Sequence, residues 1–99
     1  MQSHYAASFD REMGCTEREW LSWLPGAVRE HGLTLSAGRA DVAIGTGRLV
    51  LHWRTLPPRR LGLARFPRLA VTFSFEDLDE AARQTFMRYF DLYMQRGGG

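Results

Sequence analysis

From Leu33 to Phe75 the apolar residues keep a period of two, and this constrains the fold more than any other feature. Leu33 and Leu35, then Ala40, Val42 and Ile44, then Leu49, Leu51 and Trp53 alternate with polar or small residues, as strands with one buried face do. The breaks at Ala37-Gly38 and Gly45-Thr46-Gly47 are short and contain glycine, which predicts hairpins and not crossovers. Leu69, Val71, Phe73 and Phe75 predict a further strand, with Arg68, Ala70, Thr72 and Ser74 on its other face. Between them, TLPPRRLGLARFPRL reads as a proline loop: Pro57-Pro58 does not fit a regular central strand, and Leu61 and Leu63 offer only a short one. The expected sheet is an antiparallel meander of three to five strands.

Helices flank this region. Thr16-Glu17-Arg18-Glu19 matches a capping box, so a helix should start at Thr16 with Trp20, Leu21, Trp23 and Leu24 on its apolar side. Pro25-Gly26 predicts a kink or a split, with Ala27 to His31 as a second short turn ending at Gly32. A long C-terminal helix opens at Asp77-Leu78-Asp79-Glu80, with Asp77 as its cap, and Leu78, Ala82, Phe86, Tyr89, Phe90 and Tyr93 recur at helical spacing. Residues 1–15 read as an arm and Gly97 to Gly99 as a flexible tail. With 99 residues there is room for one core. The expectation is one α+β domain, a two-layer sandwich of the meander sheet against a kinked N-terminal helix and the long C-terminal helix.

Composition narrows the functional classes. No stretch approaches the roughly 20 apolar residues that cross a bilayer, and the N-terminus lacks the basic start and apolar core of a secretion signal, so the cytoplasm is expected and a membrane partner is not. A lone Cys15 forms no internal disulfide, and His4, His31, His52 and Cys15 match no compact ligand spacing; no cofactor or metal is expected. Cys15 lies just before the Thr16 helix, where the dipole favours a thiolate. Gly45-Thr46-Gly47 precedes a strand and not a helix, so it is a turn and no phosphate loop.

The charges are unevenly placed. All 13 basic residues are arginine, a set that arginine-rich codon usage also produces. No acid lies between Asp41 and Glu76, the window that holds Arg48, Arg54, Arg59, Arg60, Arg65, Arg68 and His52. Strand parity puts Arg48, His52, Arg54 and Arg68 on the face opposite Leu49, Leu51 and Trp53, with Arg59, Arg60 and Arg65 in the adjoining loop. Such a surface can hold phosphates or carboxylates, although any sheet with one wet face is polar there and arginine stems cover strands well. Base stacking lacks its aromatics, since Trp53, Phe73 and Phe75 alternate onto the core side.

The resulting expectation is a binding or adaptor domain, not an enzyme, whose arginine face and loop contact an acidic protein or nucleic acid. Three alternatives stay open. A small enzyme would use His52 as acid/base beside the arginines. A structural subunit or homodimer would associate through Phe86, Met87, Tyr89, Phe90, Tyr93 and Met94, which wrap more of the last helix than one face needs. Finally, Arg96-Gly97-Gly98-Gly99 resembles the di-glycine tail of sulfur-carrier and ubiquitin-like proteins in its last residues only, which would imply a carrier activated at its C-terminus.

Overall fold

The computed structural model describes residues 5–98. In chain order these form strand β1 (Ser8–Met13), helix α1 (Glu17–Val28), strands β2 (Gly32–Ser36), β3 (Arg39–Ile44), β4 (Gly47–Leu61) and β5 (Ala64–Glu76), and helix α2 (Glu80–Tyr93), which continues as a π-helical turn over Met94–Gly98. The five strands make one antiparallel sheet in the order β1-β5-β4-β3-β2. Both helices cover one face, giving the two-layer α+β arrangement that the period-two region implies.

Three two-residue turns set the register of the meander. Ser36 pairs with Arg39, Ile44 with Gly47, and Leu61 with Ala64. The last turn is Gly62-Leu63, with φ 59° at Gly62, the left-handed value that a glycine adopts without steric cost. Gly47 is required for a different reason: a Cβ there would collide with the backbone carbonyls of Glu76 and Asp77.

Several expectations are corrected by the structure. Residues 8–13 are not part of an arm; they pair with β5 from Ser8↔Ser74 to Met13↔Leu69. Phe9 and Met13 do alternate inward, but the position between them is Arg11, and a charge on the buried side hid the period. The first helix is not split. The expected capping box forms, with Glu19 N–H donating to Thr16 Oγ1 at 3.1 Å and Thr16 N–H to Glu19 Oε1 at 2.9 Å, and α1 then runs through Pro25. Pro25 and Leu21, the residue whose carbonyl loses its bond to Pro25, are both exposed, so water can serve that carbonyl. Gly26 is a packing residue and not a breaker, because the Tyr93 ring of α2 occupies the space its Cβ would need. At the second helix the cap is Asp79, accepting from Ala82 N–H at 2.9 Å, and Asp77 instead takes φ 58° in the preceding turn. Gly97 and Gly98 extend α2 as part of the π-helical turn, while Gly99 lies outside the described residues.

The core is aromatic. Trp20 of α1 meets Trp53 of β4 and Phe90 of α2 edge-on, at centroid distances of 5.7 and 6.1 Å, and Phe90 meets Phe73 of β5 at 5.6 Å. Phe86, Met87, Phe90 and Met94, expected as an interface, are buried inside this single chain. A 99-residue domain has little apolar surface to cover a five-stranded sheet, so α2 turns most of its apolar side chains inward, Leu92 excepted. Only Tyr89 and Tyr93 of that set are partly exposed, and Arg29 stacks over the Tyr89 ring at 4.0 Å.

Candidate functional site

The face of the sheet opposite the helices is uncovered. Arg48, His52, Arg54 and Arg68 do share it, as parity requires, because their cross-strand partners are Glu76, Thr72, Ala70 and Leu56 on the same side. What parity along one strand could not show is which neighbours arrive from β1 and β3. Arg48 Nε lies 2.8 Å from Glu76 Oε1, and its Nη1 4.0 Å from Asp41. Arg68 clasps Glu12 of β1 with two bonds of 2.9 and 3.1 Å and also donates to the Pro57 carbonyl at 3.2 Å. Arg39 binds Asp41 at 3.0 Å. The Arg68 hydrogen bonds hold the Glu12 carboxyl below its ordinary range, and Arg39 does the same to Asp41. The window free of acids in sequence is therefore lined with acids in space, and the sheet face is a mixed-charge lattice.

Part of this face is concave. A trough of about 630 Å³ is lined by Asp10, Glu12, His52, Arg54, Leu56 and Thr72, among others. Thr72 Oγ1 donates to Asp10 Oδ1 at 2.7 Å, and the exposed His52 lies between Thr72 and Arg39 in the strand register.

The expected proline loop is a strand-paired ribbon. β3 leaves β4 at the Arg39↔His52 pair and β1 leaves β5 at Met13↔Leu69, so beyond these points, among the described residues, β4 and β5 pair only with each other. Pro57 and Pro58 sit in a register shift between Leu56 and Arg59, where their missing N–H groups interrupt no third strand. Past the shift, Arg59 pairs with Phe66, Arg60 with Arg65 and Leu61 with Ala64. The described chain measures 47 × 29 × 22 Å along its principal axes. Arg59 reaches back to within 3.8 Å of Glu12. Among the described residues Arg54, Arg60 and Arg65 have no carboxylate partner. They and Arg59 are exposed, and only arginine charge is present from Arg54 to Arg68.

The remaining candidates separate. Cys15 is 1% exposed, and burial, aided by the Glu19 carboxylate, pushes its thiol up to about 11, overriding the helix-dipole effect expected before Thr16. A thiol reagent at neutral pH should therefore leave the folded protein unmodified and label it fully in denaturant; fast labelling of the native chain would contradict this burial. His31 packs its ring 5.5 Å from Phe86, and His4 lies outside the described residues. Among the described residues no group of three His, Cys, Asp or Glu side chains is disposed to hold a metal, and no helix is long and apolar enough to cross a membrane. Compared with family models and with curated proteins, the chain gives no match.

Proposed function

We propose that the chain is a binding module, not a catalyst, and that the arginines of the β4–β5 ribbon grip a partner rich in anionic groups, an acidic protein or a nucleic acid. One contrast supports this reading. Arg48 and Arg68 on the sheet already have carboxylate partners, whereas Arg60 and Arg65 have none among the described residues and stand on a two-stranded projection together with Arg59. An anion arriving at Arg60 and Arg65 replaces water, while one arriving at Arg48 must compete with Glu76. The acids of the lattice keep the body of the domain from repeating the same charge pattern, so an acidic partner is directed to the ribbon.

The test is retention of the full chain on immobilised heparin and on polyglutamate over a salt series. Binding is expected at low salt and should weaken steeply as salt rises, each arginine-phosphate or arginine-sulfate contact adding to the slope. Salt-insensitive or undetectable binding to every polyanion would remove the reading.

A second reading is favoured by the trough. His52 and Arg54 beside the Thr72–Asp10 pair form a concave surface that suits a small anionic ligand, with His52 as its acid/base. Saturable shifts of the His52 ring signals with small carboxylates or phosphates, sparing Arg60 and Arg65, would favour it over the ribbon.

A further inference from the structure

Charge is not the only exposed feature of the ribbon. Leu61 is 63% exposed, Phe66 48%, and Leu63 entirely so. The pairs Leu61↔Ala64 and Arg59↔Phe66 fall on one side of the ribbon and Arg60↔Arg65 on the other. Leu63 occupies the terminal turn. The tip is thus a convex amphipathic blade: an apolar side and end, a cationic back, and Arg59 at the base of the apolar side.

Different occupants satisfy different parts of this surface. Two copies joined through their apolar sides would set Arg59 against its own counterpart and leave Arg60 and Arg65, on the other side, with nothing to answer them. A nucleic-acid duplex answers the arginines and accepts a β-ribbon in its groove, but it leaves most of three large apolar side chains against phosphate and water. The headgroup zone of an anionic bilayer answers both, with lipid phosphates at the level of the guanidinium groups and the acyl boundary just beneath. The absence of a membrane-crossing helix among the described residues concerns spanning and not docking.

We infer that the β4–β5 ribbon is a membrane-surface anchor, which inserts Leu61, Leu63 and Phe66 into the interface of an anionic bilayer while Arg59, Arg60 and Arg65 hold lipid phosphates. This rests on the ribbon being the contact element for anionic groups, as proposed above, and puts a lipid surface in place of the acidic protein or nucleic acid named there.

The experiment is co-sedimentation of the full chain with vesicles of phosphatidylcholine alone and of equimolar phosphatidylcholine and phosphatidylglycerol, with heparin retention measured in parallel. Binding is expected to the mixed vesicles and at least about tenfold less to the neutral ones. The double substitution Leu61→Ser/Leu63→Ser changes only solvent-exposed positions; it should weaken vesicle binding at least about tenfold and leave heparin retention unchanged. Arg60→Glu/Arg65→Glu should weaken both. Failure to bind mixed vesicles, or binding indifferent to the leucine changes, overturns the anchor; if heparin retention persists, the ribbon remains the contact element and its partner is a protein or nucleic acid. Loss of heparin retention as well removes both readings.

Discussion

Phe90→Ala is expected to destabilise the domain by about 3–5 kcal/mol, the range for truncating a fully buried phenylalanine. Phe90 is 0% exposed and its ring lies 5.6 to 6.1 Å from those of Phe73, Phe86 and Trp20, so little of the vacated space can be refilled without moving another ring. Small domains have about 5–15 kcal/mol in total, and one of this size belongs toward the lower end. The variant should be largely unfolded in mild urea, followed by far-UV circular dichroism. If the aromatic side of α2 were a contact between copies, the same substitution would dissociate an oligomer and leave the stability of the folded monomer unchanged. Leu92→Ala is the control: Leu92 is exposed on the same helix, and its loss should change stability by less than about 1 kcal/mol.

Asp91→Ala should be the most damaging polar substitution, costing about 1–3 kcal/mol. Asp91 on α2 accepts from Tyr5 Oη at 2.6 Å and from Arg11 Nη1 at 2.6 Å, which ties the N-terminal segment and edge strand β1 to the helix layer. The Arg11 guanidinium also lies 5.5 and 5.2 Å from the Phe9 and Phe73 ring centroids. Removing the carboxylate leaves a mostly buried cation and a buried hydroxyl without this partner. Both ionic side chains keep about a fifth of their exposure, which holds the cost below that of a fully buried pair. Urea midpoints read the effect, and a double-mutant cycle with Tyr5→Phe apportions it. The tyrosine supplies a pH signature. Burial, with Asp91 second, raises its pKa from 10.0 to about 12, so the folded state favours the protonated phenol. That stability is complete below pH 10 and is lost as pH rises through about 12. Wild type should therefore lose stability across this alkaline window, and Tyr5→Phe should lose less.

The meander and the aromatic helix were legible because their periods are regular. Leu49, Leu51 and Trp53, and then Leu69 to Phe75, keep their parity through the sheet, and the buried residues of α2 keep helical spacing. Edge strand β1 was not legible. Its inward set is Phe9, Arg11, Met13, and an arginine becomes a core-facing residue only once Asp91, eighty residues away in sequence, stands opposite it. Missing β1 also hid Glu12 and Asp10, so the sheet face read as basic although Asp10, Glu12, Asp41 and Glu76 all lie on it. Pro57-Pro58 misled for a local reason: prolines break a central strand, but these two lie where β4 has already left β3. Gly26 misled because the sequence cannot show the Tyr93 ring that fills its space. For the candidate site, the arginine positions were readable one by one, whereas the division into paired and unpaired charges depends on strand order.

That division is the central claim, and shortening the ribbon tests it most directly. Leu56 and Arg68 are cross-strand partners, so joining them by Asn-Gly removes residues 57–67 and closes the hairpin with a favoured two-residue turn, leaving the aromatic core intact. The decisive measurement is the affinity of this shortened chain for heparin at low salt, beside a full-length Arg48→Glu variant. Binding is expected to fall at least about tenfold on shortening and to change little in Arg48→Glu, because three arginines leave with the ribbon while Arg48 is already held by Glu76. Unchanged affinity in the shortened chain, or a larger loss from Arg48→Glu, would contradict the claim and move the binding surface back to the open face of the sheet.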